Sequence, residues 1–203
     1  MKTIALRALA LSAALLGGCA LPDRPVPPEP YDLGPPPAAA QPLAVPDAAP
    51  IVWGGVDAPP SLDGTAIIYR LLYVQGGQQP RPYARARWAE APAQLLARRL
   101  RAALAAARPV VDPDAGLTAP QLRIELEDFS QVFESPDKSY GAVRLRATRL
   151  APGLGDSTLQ VEQRSFAARA PAPSNDAAGG ALALKTAADQ VIGEVVTWVN
   201  GGR

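Results

Sequence analysis

The chain has 203 residues, 48% of them hydrophobic, with 20 basic and 19 acidic side chains, 23 prolines, one cysteine and no histidine. That charge balance gives no electrostatic footprint for nucleic acid, and a lone cysteine permits no disulfide within the chain. Without histidine, histidine-based triads and the commonest zinc sites are excluded. Carboxylate-only or Ser-Lys chemistry survives that filter, but no pattern below supports it, so we expect no enzyme, no cofactor and no metal.

The chain begins Met1-Lys2-Thr3, with Arg7 close behind, then an apolar run from Ala8 to Leu16 and Gly17-Gly18-Cys19. A charged start, a short apolar core and small residues before a cleavage point are the parts of a secretory signal. These nine residues, eight of them apolar, span about 14 Å as a helix, against a hydrocarbon core of about 30 Å, and cannot anchor the chain alone. Leu16-Gly17-Gly18-Cys19 has the form of a bacterial lipobox. It places cleavage between Gly18 and Cys19 and a thioether-linked diacylglycerol on Cys19, so that residues 1–18 are a leader. The plainer alternative is an ordinary leader with a stray cysteine, but that leaves one unpaired thiol in an oxidising compartment. Acyl chains, at about 0.8 kcal/mol per buried methylene, hold a protein to a membrane without a spanning helix. Ala20 stands where enteric bacteria tend to place an aspartate that retains lipoproteins in the inner membrane. By resemblance to that sorting rule the anchor lies in the outer membrane, facing the periplasm. Losing Lys2 and Arg7 with the leader leaves a formal charge of about −1.

From Ala20 to Pro50 there are 11 prolines in 31 residues. Proline fixes φ and donates no amide hydrogen bond, so residues 19–30 read as an extended tether. Tyr31-Asp32-Leu33 interrupts the pattern as a short strand that opens a domain over 31–203, with the plainer alternative that Tyr31 is part of the tether, and the Pro/Ala-rich stretch 35–50 reads as a loop within it. Ile51-Val52-Trp53 starts a strand that Gly54-Gly55 weakens. Residues 66–74 form a β-branched and aromatic run. Residues 82–88 alternate, with Tyr83, Arg85 and Arg87 on one face and Ala84, Ala86 and Trp88 on the other; a Gly/Gln/Pro turn joins the two runs as a hairpin.

Ala91 to Ala107 is a helix with Pro92 at its first position and Pro109 beyond its end. Leu96, Leu100, Leu104 and Ala107 make its apolar stripe, and Arg98, Arg99 and Arg101 form a solvated face, with attraction to anionic headgroups as the alternative. Three strands follow. In 121–133, Leu122, Ile124 and Leu126 oppose Arg123, Glu125 and Glu127. In 140–150, Val143, Leu145 and Ala147 oppose Arg144, Arg146 and Thr148. In 158–168, Leu159 and Val161 oppose Gln160 and Glu162. One apolar and one charged face per strand predict an antiparallel sheet covered on one side, with glutamates and arginines paired across the wet face. Glu125 and Glu127 read as solubilising residues and not as a catalytic pair. A linker over 171–180 precedes a last helix, 181–199, striped by Leu184, Ala188, Val191, Val195 and Trp198 or Val199. The sum is an α+β fold: a two-layer sandwich of a mostly antiparallel sheet with two helices packed on one face.

Several of these pieces resemble the ABC-type transport auxiliary lipoprotein family. The lipobox is followed by Tyr31-Asp32-Leu33, where the family has a Tyr-x-Leu strand. Pro60-Ser61-Leu62-Asp63 leads into Ile67-Ile68-Tyr69-Arg70, similar to the family's Pro-x-Leu-Asp segment and aliphatic-Tyr-Arg strand. Arg87-Trp88-Ala89-Glu90-Ala91-Pro92 matches its strand-helix junction and is the most specific of these. The resemblance implies a non-enzymatic accessory of an envelope-spanning lipid transport system. Its implied partners are an MCE-domain periplasmic protein and the inner-membrane transporter components behind it, and the family includes homo-oligomeric rings. Tyr69, Arg70, Arg87 and Trp88 are the residues to test first for partner contact, with the alternatives that Trp88 is a core aromatic at the strand-helix junction and that Arg87 holds Glu90 or the helix start. An outer-membrane scaffold lipoprotein that binds a barrel protein or a peptidoglycan enzyme needs the same anchor and a similar domain, and remains the alternative.

Overall fold

The computed structural model describes residues 26–35, 48–153 and 158–201. Cys19, the leader, the first part of the tether and most of the 35–50 loop lie outside the described residues. The elements run β1 (Glu29–Tyr31), β2 (Ile51–Asp57), β3 (Ala66–Leu71), β4 (Arg81–Trp88), α1 (Pro92–Ala105), β5 (Val110–Val111), β6 (Gln121–Ser135), β7 (Lys138–Pro152), β8 (Leu159–Pro171) and α2 (Ala177–Gly201). All eight strands belong to one sheet, and both helices pack on the same buried cluster. This is the expected α+β sandwich.

The long strands β6, β7 and β8 form an antiparallel meander, and β3–β4 is the expected hairpin. Parallel pairings join the shorter pieces: β1 to β4, β5 to β2, and both β2 and β3 to β6. β6 is long enough to divide one edge between two partners. Val52–Asp57 lies along Gln121–Glu125, and Ile68–Leu71 lies along Ser130–Phe133. Its other edge carries β7. Between the two segments the pairing with β7 shifts at Leu126/Asp128, a β-bulge that changes which residues face inward.

β2 runs straight through Gly54-Gly55, which weakened it on sequence alone. The register with β6 slips there, and Gly55 takes φ +87°, a bulge that glycine accommodates without strain. In α1, Leu96, Leu100 and Leu104 are buried as the spacing predicts. α2 begins at Ala177, four residues before its predicted start. Asp176 accounts for that: its Oδ1 accepts the Gly179 amide at 2.8 Å and caps a first turn that two glycines make unfavourable. Gly141 of β7 sits directly under α2, and a Cβ there would stand 2.5 Å from the Leu184 nitrogen. Only glycine lets helix and sheet approach so closely.

Two face assignments change. In β4 the alternation breaks beside the register slip with β3: Ala84 and Arg85 are both exposed between half-buried Tyr83 and buried Ala86. Tyr83 therefore packs on the core side and not with Arg85 and Arg87. In β8 the phase is the reverse of that expected. Phe166 and Ala170 are buried, while Leu159 and Val161 are 68% and 64% exposed on the outer face. Phe166, the largest apolar side chain of the strand, sets the phase, and Glu162 then falls on the helix side. There Glu162 accepts from the Trp198 indole at 2.9 Å and from Arg149 Nη2 at 2.6 Å.

Candidate docking surface

The four residues singled out for partner contact lie on the β3–β4 hairpin, in very different surroundings. Trp88 is fully buried, its ring centroid 5.4 Å from Phe129 in an edge-to-face pair. It therefore offers a partner no surface, and it holds the end of β4 against β6 from within the core. Arg87, its neighbour, points the other way and is exposed. Arg70 is half-buried and donates from Nη1 to the Gln78 carbonyl at 2.8 Å, bracing the turn that β3 enters. β3 ends at Leu71 and not at Val74; residues 72–79 make successive turns, with Val74, Gly77 and Gln79 amides donating back to Leu71, Val74 and Gly76 carbonyls.

Tyr69 packs against Tyr83 with ring centroids 4.7 Å apart and planes tilted by 43°, and meets Phe133 edge-on at 6.0 Å. This aromatic trio covers a buried polar chain. The Tyr83 hydroxyl donates to Gln131 Oε1 at 2.8 Å, Gln131 Nε2 donates to Ser139 Oγ at 2.9 Å, and Ser139 donates to Asn175 Oδ1 at 2.8 Å. Gln131 is wholly buried, where an unpaired amide would be costly. Burial, reinforced by Tyr69 and Asp176, pushes the Tyr83 phenol well above its ordinary value, so it stays a neutral donor throughout the physiological range. The hairpin is thus fastened to β6, β7 and the start of α2 by specific bonds and not by apolar contact alone.

Sequence reasoning missed Arg99. Expected on the solvated face of α1, it is instead 3% exposed. Its Nη1 donates to the Leu33, Gly34 and Pro35 carbonyls at 2.8, 2.7 and 2.9 Å, and its Nε donates to Asp189 Oδ1 at 3.1 Å. Lys185 meets the other Asp189 oxygen at 3.1 Å. One guanidinium therefore ties the strand that enters the domain to both helices. Arg98, next to it, is exposed and pairs with Glu90 and Asp32, and Arg101 pairs with Asp112 at 2.8 Å. The signal for Arg99 was present, since it lies three residues after Leu96 and four after Leu95, both buried.

On the outer face, Arg146 pairs with Glu125 at 3.4 Å and with Glu127, the cross-strand arrangement that the alternating charges predict. The two glutamates are bound up in that pairing and form no separate acid-base pair. Among the described residues no group of three or more Asp, Glu, Cys or His side chains is placed to hold a metal, and no helix is long and apolar enough to cross a membrane.

The match to known sequences falls on this same framework. Residues 31–196, from the last residue of β1 to near the end of α2, match the family described as the ABC-type transport auxiliary lipoprotein component. The chain belongs to that family. Its members are lipoprotein components of transport systems, an accessory role that suggests no catalysis. Among curated proteins none matches the sequence. Among solved structures, protein XCC0632 from Xanthomonas campestris superposes with a TM-score of 0.63 at 22% identity, covering 85% of this chain and 92% of its own. An uncharacterised protein superposes with a TM-score of 0.66 at 15% identity, covering 86% and 99%. The hypothetical protein CT253 from Chlamydia trachomatis gives 0.52 at 8% identity, covering 75% and 96%. These identities establish a shared fold and nothing finer.

Proposed function

We propose that this protein is a lipid-anchored accessory component of an MCE-type lipid transport system, held in the outer membrane through Cys19 and facing the periplasm. The observation that carries the reading is the family match over residues 31–196, preceded in the same chain by the lipobox Leu16-Gly17-Gly18-Cys19. The domain acts by docking: it receives an MCE-domain protein, itself served by inner-membrane transporter components, and places the end of that conduit at the outer membrane. No bond is made or broken by the domain itself. Arg87 is the contact residue best placed to reach a partner, being exposed on β4, with Tyr69 and Arg70 shaping the neighbouring hairpin surface.

Photo-crosslinkers at Arg87 and Arg98 in intact envelopes, followed by mass spectrometry of the adducts, test the reading. An MCE-domain protein in the adducts supports it. A barrel protein or a peptidoglycan enzyme in its place moves the assignment to the scaffold reading. No MCE adduct, together with no envelope defect on deletion, removes the transport role.

A further inference from the structure

We propose that the tip of the β3–β4 hairpin, at Leu72 and Tyr73, rests in the headgroup layer of the membrane that holds the acylated Cys19. The inference rests on the lipidation reading and adds a second point of membrane contact to it.

The register of β1 supplies the direction. β1 lies parallel to β4, with Glu29 beside Ala86 and Tyr31 beside Trp88. The chain preceding Glu29 therefore comes from the side of Arg81, where β4 begins. Arg81 pairs with Tyr69, three residues before Leu72, so this is also the side of the hairpin tip. The chain that leads from the anchor thus enters the sheet from the end that carries the tip.

Chain length sets the distance. Ten residue-to-residue steps lead from Cys19 to Glu29, which reach about 35 Å at most when fully extended. Because Ala66 pairs with Arg87 and Tyr69 with Arg81, β3 covers in three residues what the bulged β4 covers in six, so the level of Glu29 lies five residues of β3 from that of Leu72, roughly 17 Å at about 3.3 Å each. A fully extended tether laid along β4 would thus carry the acylated cysteine no more than about 18 Å beyond the tip, and slack in the tether closes that gap. About half of that reach is needed only to pass the hairpin, which leaves less to hold the domain clear of the headgroups.

The tip has the chemistry for this position. Residues 71–80, Leu-Leu-Tyr-Val-Gln-Gly-Gly-Gln-Gln-Pro, carry no charge that would have to shed water. Leu72 is 46% and Tyr73 44% exposed, and Val26, on the path of the tether, is 80% exposed. An amphipathic tyrosine beside an aliphatic side chain is a pairing favoured at the membrane–water interface. The tip is also braced, by Arg70 on the Gln78 carbonyl and by the Leu72 amide on the Phe133 carbonyl at 2.9 Å. It therefore presents these side chains without having to order them first. By contrast, exposed Leu159 pairs with Pro152 at the opposite end of the meander, since it is Pro171 that pairs with Tyr140 near the tip.

The test uses the full lipidated chain in vesicles of phosphatidylethanolamine and phosphatidylglycerol. Cys19 is the one cysteine of the chain, so once acylated it leaves Tyr73→Cys or Leu159→Cys as the sole thiol for an environment-sensitive NBD label. Flotation with the vesicles reports the anchor independently. The expected result is a blue-shifted emission at position 73, quenched by lipids brominated on their acyl chains, with position 159 unshifted. Flotation with position 73 still in water overturns the tip contact and leaves the anchor standing. Absence of flotation removes both. A blue shift that persists without vesicles and grows with protein concentration means that a second copy covers the tip, and also overturns the proposal. If labelled Tyr73→Cys does not fold by circular dichroism, Leu72→Cys carries the same readout.

Discussion

Up to Leu126, β6 has one wet face and one dry one; from Phe129 to Phe133 it is buried on both. In the first segment Leu122, Ile124 and Leu126 turn toward the helices, while Arg123 and Glu125 meet water and the arginines of β7. In the second, Gln131 faces α2, and Val132, on the other side, sits between Arg70 of β3 and Tyr140 of β7. The bulge between Leu126 and Asp128 is where one regime gives way to the other. A strand solvated on one side is held by alternation and tolerates change on its wet face. A strand dry on both sides must satisfy every polar atom from within, and here it does so through the chain of bonds that also fastens the hairpin.

Substitutions on the dry segment and its cover should therefore cost most. Gly141 is the register partner of Gln131 under α2. In Gly141→Ala the added methyl lies 2.5 to 2.9 Å from the backbone of Ala183 and Leu184, which is overpacking against main chain that cannot rotate away. We expect a loss of about 3 kcal/mol, read as a lower urea midpoint. Gln131→Leu keeps the volume but leaves the Tyr83 hydroxyl with no acceptor and Ser139 with one partner fewer. The expected loss is about 2 kcal/mol. If it proves neutral, the polar chain is incidental and the contrast between the two segments of β6 fails.

The legibility of the sequence follows the same division. The α+β sandwich, the hairpin, the meander and the stripe of α1 were all readable, because each is written in a period of two or of about 3.6. Trp88 as a core residue was readable from its alternation with Ala86. What alternation cannot show is a bulge, which moved Tyr83 inward, or the phase of a strand whose apolar residues fall on both faces, as Leu159, Val161 and Phe166 do in β8. Nor does a stripe of leucines announce that an arginine belongs to it. Arg99 is buried because carbonyls of residues 33–35, distant in sequence, supply its acceptors. The parallel pairings of β1, β2 and β3 were likewise silent, since pairing partners far apart in the chain leave no local period.

The cap of α2 gives a smaller effect with a pH signature. Asp176 accepts from the Gly179 amide at 2.8 Å and from the Ser174 hydroxyl at 2.7 Å, and these bonds hold its carboxyl below the ordinary value of 3.8. A carboxyl depressed in the folded state contributes stability that is present above the unfolded value and is lost as pH falls through the folded one. Asp176→Ala should accordingly cost about 1 kcal/mol near neutrality. The gap between the two proteins should narrow below about pH 4, measured by denaturant titration across that range. A gap that stays constant to low pH would mean that the side chain stabilises the turn by packing and not by its charge.

On the wet segment the effect should nearly vanish. Arg146 touches both Glu125 and Glu127 and is the most heavily paired charge of the outer face, yet its side chain is 41% exposed and Glu125 is 56% exposed. Exposed pairs are screened by solvent and offset by the entropy of holding long side chains, so Arg146→Ala should cost about 0.5 kcal/mol, and less in high salt. Glu127 is the informative partner, at 21% exposure and directly beside the bulge. A double-mutant cycle should give a larger coupling for Arg146 with Glu127 than with Glu125, because the less solvated carboxylate loses more when its cation is removed. Equal couplings would place the boundary between the wet and dry segments of β6 beyond Asp128, and not at the bulge.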